Sequence, residues 1–367
     1  MIKLSHEHYT ACLLGGAIGD ALGAPIEFLS LSQIRAKYGE NGITDYVEFE
    51  NDTGEFTDDT QMTLFTAEAL LRAYHRAMLK GIGGALPIIA HHSYLRWLHT
   101  QGIGVNAENI KAGKYDVTNG WLIKQKILYR KRAPGNTCIL ALGSGIAGTI
   151  DQPINNSKGC GTIMRMAPVG LFFEGKANEA FETACELSAI THSQPTGYLS
   201  AGFFAAIIAN LAISDSLIDS IDCAKKILIK WEHHKETLHA VNAAIELFNK
   251  SKNERQSINA ETIEELGQGW VAEEALAMSL FASLLFENDF KKGVLFSVNH
   301  SGDSDSTGSI TGNILGMING IDKVPGKWIE NLNGCEIVKQ VAEDLHLKIK
   351  GDSLISSDEW WDKYPGY

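Results

Sequence analysis

The sequence predicts an all-α fold. Three observations carry that reading. Apolar residues recur at helical spacing over most of the chain, alternating apolar and polar runs are scarce and short, and the pattern from about residue 177 onward is almost wholly helical. The 367 residues hold 8 prolines and show no Pro/Ser-rich linker, low-complexity run or internal repeat. One domain over 1–367 is therefore expected, although cores usually divide beyond about 250–300 residues. The net charge of −12 argues against a nucleic-acid partner, which calls for a basic stripe. The 6 cysteines form no CxxC pair, which fits reduced thiols in the cytoplasm and offers no zinc site. The start does not read as a signal peptide, because glycines and Asp20 break its apolar stretch. No membrane span is expected, and a monomer is.

A first helix is predicted from about His6 to Gly23. Within it Gly15, Gly19 and Gly23 recur every fourth residue, leaving one face bare of side chains. Each costs roughly 1 kcal/mol of helix stability, a cost tolerated where another backbone or a ligand comes close. Asp20 stands among these small residues. Pro25 ends the helix, and Glu27 follows between Ile26 and Phe28, a setting that can raise a carboxyl pKa for acid–base work. Residues 29–56 read as a short helix and an irregular loop. Helices follow at Thr57 to about His75, 83–99 and 118–131, the last stopped by Arg132-Ala133-Pro134-Gly135. Residues 100–117 read as a Gly/Asn-rich loop. A short helix runs from Thr137 to about Leu142. A loop then carries Ser157-Lys158-Gly159-Cys160-Gly161-Thr162, where backbone N–H groups before a helix start suit an anion such as pyrophosphate. An ordinary Gly-rich turn explains the loop equally well. Further helices are expected at 177–190, 195–213, 217–234, 236–252, 259–266, Val271 to about Glu287, 288–298, Thr307 to Gly320 and 333–346. His192 sits in the turn between the first two, as a cap contact or a site residue. The helix from Val271 is apolar on nearly all faces, hence central.

Two acidic clusters interrupt this pattern, and both immediately precede or open a helix. One is Gly302-Asp303-Ser304-Asp305-Ser306-Thr307. In an extended stretch its two carboxylates leave on the same side, and carboxylates that close repel unless a cation or proton lies between them. The other is Phe56-Thr57-Asp58-Asp59-Thr60. Both lack His and Cys, so together they fit a composite oxygen-ligand site for a hard divalent ion. Taken singly, each is also an ordinary acidic helix start.

The chain resembles the ADP-ribosylglycohydrolase family. The resemblance runs from about residue 8 to 320 and rests on seven segments in order. These are Gly15–Gly23 with Glu27, Phe56–Thr60, Arg132–Gly135, Gly161-Thr162-Ile163-Met164-Arg165, Thr191-His192, Gly269-Trp270-Val271-Ala272-Glu273-Glu274-Ala275 and Gly302–Ser306. It implies a metal-dependent hydrolase that removes ADP-ribose from modified protein side chains, most often arginine. It implies two divalent cations, magnesium or manganese, held by Thr57, Asp58, Asp59, Asp303, Asp305 and Ser306. Glu27 would lie beside the metals, and Asp59 or Glu27 would be the general acid or base. Ser157, Gly159, Gly161 and Thr162 would hold the pyrophosphate, with His192 in the ADP-ribose cleft. Two departures stand out: Cys160 replaces the usual Asn between the loop glycines, and Ser306 replaces a common Thr. Three other readings fit less well. Asp303-x-Asp305-x-Thr307 matches a haloacid-dehalogenase nucleophile motif, but that motif needs a first strand before it and a sheet after it, and only about sixty residues remain. Asp58-Asp59-Thr60-Gln61-Met62 lacks the last acid of a terpenoid synthase. A non-catalytic ADP-ribose-binding or toxin-neutralising protein would not need intact metal ligands.

Overall fold

The computed structural model describes residues 5–49, 52–110, 116–214, 216–254, 258–350 and 358–366, so the loop expected at 100–117 falls partly outside them. Seventeen α-helices and no named strand occur among the described residues. In chain order they are α1 (His6–Gly23), α2 (Leu31–Tyr38), α3 (Asp58–Lys80), α4 (Leu86–Thr100), α5 (Asn136–Gly143), α6 (Ala167–Phe172), α7 (Ala177–Ala189), α8 (Pro195–Leu211) and α9 (Leu217–Leu228). They continue with α10 (Lys235–Glu254), α11 (Ala260–Glu264), α12 (Ala272–Leu285), α13 (Phe290–Val298), α14 (Ser304–Asn319), α15 (Gly326–Glu330), α16 (Cys335–Lys350) and α17 (Asp358–Lys363).

The fold is built on the pair α1 and α14. A Cβ added at Gly15 would stand 2.2 Å from the Gly312 carbonyl oxygen, and one at Gly19 would stand 2.0 Å from that of Gly308. The seam is reciprocal: a Cβ at Gly312 would meet the Gly15 oxygen at 2.0 Å, and one at Gly316 would meet that of Ala11 at 2.1 Å. Two backbones therefore touch along about three helical turns, from Ala11 against Gly316 to Gly23 against Ser304, as the glycine period allows. This contact fixes the N-terminus of α14 against the C-terminal end of α1, where Glu27 follows. Helices α8 and α12, apolar on nearly all faces, are buried almost throughout and join the same apolar core.

Three sequence expectations change. The helix expected at 118–131 is instead two 3₁₀ turns, Leu122–Lys124 and Lys126–Tyr129, split where Gln125 is extended (φ −84°, ψ 108°). Here tertiary contacts override helix propensity: Leu122, Ile123 and Leu128 are buried, and the Trp121 N–H donates to the Lys363 carbonyl at 3.1 Å. The helix expected to start after the Ser157–Thr162 loop is short: a 3₁₀ turn at Cys160–Thr162 comes first, and α6, with Pro168 in its first turn, ends at Phe172. Helix α14 starts at Ser304, three residues earlier than expected, because Asp303 is its N-cap and accepts from the Ser306 N–H. Among the described residues no single helix is long and apolar enough to cross a membrane.

Candidate active site

Six pieces of chain converge on one cleft of about 540 Å³, and three of them bring its acids, Glu27, Asp58 with Asp59, and Asp303 with Asp305. Each acid arrives by a local rule. Thr57 caps α3, its Oγ1 accepting from the Asp59 N–H at 3.3 Å, so both Asp58 and Asp59 lie in the first turn, where the dipole favours negative charge. Asp303 caps α14, its Oδ1 accepting from the Ser306 N–H at 3.2 Å, and Asp305 sits in the first turn. The two converge as cap and first turn, and not as alternate residues of an extended stretch. The Thr57 hydroxyl donates to Asp305 Oδ2 at 3.2 Å, which joins the two helix starts directly. Glu27 enters from the 3₁₀ turn Ala24–Ile26. One carboxylate oxygen from each of Glu27, Asp303 and Asp305 falls within 4.8 Å of the others.

Asp20 holds the arrangement from below. It is fully buried and accepts from the Thr57 N–H at 2.8 Å, the Thr60 N–H at 3.0 Å and the Thr60 hydroxyl at 2.6 Å. Its isolation among small residues marked it in the sequence; its partners did not show there. Arg132 does the same for the neighbouring loop, donating to the Phe56 carbonyl at 2.6 Å and pairing with Glu55. After Ala133, at a positive φ of 42°, the turn brings the Gly135 N–H to Asp58 Oδ2 at 3.2 Å.

The electrostatics are one-sided. Burial, then the charge of Asp305, followed by Asp303, Asp58 and Asp20, pushes Glu27 up to about 11. Burial and Asp305 raise Asp20 to about 7. Asp58, Asp59, Asp303 and Asp305 are raised too, burial leading in each. Glu27 is held up by this setting rather than by both apolar neighbours: Ile26 is buried, but Phe28 turns outward. Asp59 Oδ2 is buried with no hydrogen-bond partner. An acid cluster of this kind, with an open buried oxygen, fits a hard divalent cation.

The other expected residues are distributed unevenly. Cys160 and Gly161 line the acid cleft; Ser157, Gly159, Thr162 and His192 are not among its lining residues. His192 is buried behind the loop, so that a Cβ at Gly161 would stand 3.1 Å from its Cε1. Burial and the nearby Arg165 hold the imidazole neutral, with a pKa lowered to about 3. Arg165 donates to the Thr191 hydroxyl at 2.7 Å and lies 4.3 Å from the Tyr94 ring centre, a buried cation behind the loop that the sequence reading gave no role. The expected row of open N–H donors is reduced. Cys160 N–H donates to the Trp270 carbonyl at 3.2 Å, Thr162 N–H to the Gly159 carbonyl at 3.3 Å and Gly159 N–H to Ser157 Oγ at 3.4 Å. Lys158 is paired with Glu236 and Glu273.

The family model for ADP-ribosylglycohydrolase matches residues 2–354. ADP-ribosylarginine hydrolase Tri1 of Serratia proteamaculans is 25% identical over 334 residues, covering 91% of this chain and 77% of that protein. The ADP-ribosyl-[dinitrogen reductase] glycohydrolase of Rhodospirillum rubrum is 23% identical over 332 residues, covering 89% and 91%. A solved structure described as an ADP-ribosylglycohydrolase-related protein complex shares the fold, with a TM-score of 0.61 at 20% identity, covering 94% of this chain and 98% of that one. With a family-model match over nearly its whole length, this chain belongs to the ADP-ribosylglycohydrolase family of hydrolases.

Proposed function

We propose that this enzyme removes ADP-ribose from modified protein side chains, arginine foremost, by hydrolysis at ribose C1″ with two magnesium or manganese ions. The observation that carries the reading is the convergence of Glu27, Asp303 and Asp305 beside Asp59, whose Oδ2 has no partner. Thr57, Asp58, Asp59, Asp303, Asp305 and Ser306 would hold the cations. Bound there, the ions would supply anchorage for the ribose hydroxyls and an acidified water. The remaining work falls to the chain. Glu27, buried beside Asp303 and Asp305, is placed to protonate the leaving group. Asp59 offers the open oxygen that takes a proton from water. The carboxylates offset positive charge developing at C1″. The loop Ser157, Gly159, Gly161 and Thr162 takes the pyrophosphate, and His192 supports it from behind as a neutral ring. Two relatives with names that specify arginine or dinitrogen reductase support a protein-linked acceptor.

The test is release of free ADP-ribose from one protein modified at arginine and another modified at serine, with magnesium, manganese or chelator. Release from both in metal, faster from arginine and abolished by chelator, is expected. Faster release from serine would overturn the acceptor assignment alone. Binding of ADP-ribose without any release would make the protein a binder.

A further inference from the structure

Two aromatic rings stand in the cleft beside its acids. Phe28 is 71% exposed and Trp270 is 38% exposed, and both line the cleft. They stack on each other with centroids 5.7 Å apart and planes 21° apart. Leaving large apolar rings in water forgoes burial energy, yet both are firmly delivered. Trp270 follows a turn in which Gln268 and Gly269 N–H groups both donate to Glu274 Oε2, at 3.0 and 3.3 Å. Gly269 has a φ of +83°, and a Cβ on it would stand 3.2 Å from the Cβ of Asp303. The Trp270 carbonyl accepts from Cys160 N–H at 3.2 Å. Phe28 follows Glu27 directly, with the turn closed by Leu29 N–H on the Ile26 carbonyl at 2.9 Å.

Phe28 is thus one residue from Glu27, and Trp270 one residue from the glycine that packs on Asp303. That position decides between two occupants. In an ADP-ribosylated side chain the adenine lies two phosphates and a second ribose beyond the ribose that is cleaved, whereas the acceptor group is bonded to C1″ itself. The ring pair flanks the acids, so its neighbour is the acceptor. A guanidinium is planar and cationic, stacks on aromatic faces and is drawn by carboxylates. A serine ether has neither a plane nor a charge. We propose that the Phe28–Trp270 pair is the acceptor platform that selects arginine-linked over serine-linked ADP-ribose; this rests on the glycohydrolase reading above.

The experiment compares Phe28→Ala, Trp270→Ala and Trp270→Phe with the unaltered enzyme on both linkages. It also measures binding of free ADP-ribose by calorimetry. Each alanine variant is expected to lower kcat/KM on the arginine-linked substrate by roughly 2- to 30-fold, the range of a cation–π contact. The loss should appear in KM, exceed the loss on the serine-linked substrate, and be largely restored in Trp270→Phe. Equal losses on both linkages, or a matching loss of ADP-ribose affinity, would overturn the proposal, since the rings would then hold the nucleotide. No loss in either alanine variant would overturn it as well. If the unaltered enzyme released ADP-ribose from neither substrate, the glycohydrolase reading would fail first.

Discussion

Asp303 serves two needs that one substitution separates. It caps α14 through the Ser306 N–H and contributes an oxygen to the acid cluster. Asparagine caps a helix as well as aspartate does, so Asp303→Asn keeps the cap and removes the charge. The variant should melt no lower than the parent in chelator, yet lose ADP-ribose release and calorimetric manganese binding. Full activity in the variant would remove Asp303 from the proposed site. Asp20 tests the opposite case, a buried acid that works by accepting hydrogen bonds. Asp20→Ala leaves the N–H groups of Thr57 and Thr60 without their acceptor, and should cost about 1–3 kcal/mol in a urea titration. An unchanged midpoint would show that water replaces the carboxylate. The acids of both clusters were legible in the sequence because there are two of them, both without His or Cys, where either one alone would be an ordinary helix start. The role of Asp20 was not, because its partners lie 37 and 40 residues away. Phe28 and Trp270 were equally silent, since nothing in a sequence says that a Phe beside a buried Glu faces water.

Among the elements, α1 and α14 determine whether a site exists at all. The period of Gly15, Gly19 and Gly23 announced a close approach; that the partner was the helix carrying Gly308, Gly312 and Gly316 at the same period could have been matched from the sequence. Gly312→Ala puts a methyl 2.0 Å from a backbone carbonyl, where no rotamer can relieve it. Overpacking of this kind typically costs about 1–3 kcal/mol, and the shift of α14 should weaken metal binding too. Gly326→Ala, with nothing within 4 Å of the added carbon, should change the midpoint by no more than about 0.5 kcal/mol. If the two variants melt alike, the seam is not the determinant of the pair. The lost helix at 118–131 shows the converse limit. Its apolar pattern was real, and Leu122, Ile123 and Leu128 are buried. Three buried side chains can be satisfied by two 3₁₀ turns as well as by a helix, and the docking of Trp121 on the Lys363 carbonyl decides the matter from 242 residues away.

At the scale of the molecule, the buried acids reverse the usual dependence of stability on pH. An unfolded chain ionises its carboxyls near pH 4. In the folded, metal-free chain Glu27 is held at about 11 and Asp20 at about 7, with Asp58, Asp59, Asp303 and Asp305 raised as well. Through the neutral range the folded state therefore binds more protons than the unfolded state, and stability falls as pH rises. The buried histidines oppose this at the acid end. His192 is held near 3 and His91 near 4, both lowered chiefly by burial. The unfolded chain takes up their protons below about pH 6.5, which favours unfolding there. The metal-free melting temperature should thus rise as pH is lowered from 8.5 towards 6.5, and rise less steeply below. Divalent cations favour the ionised acids, so their benefit runs the other way. At a metal concentration about a hundredfold above its Kd the gain is roughly 2.7 kcal/mol, and proton competition weakens the Kd itself as pH falls. Melting curves in chelator and in manganese at pH 5.5, 7 and 8.5 should diverge with rising pH. A gap independent of pH, or a metal-free curve that climbs with pH, would show that these acids are not the groups to which metal binding is linked.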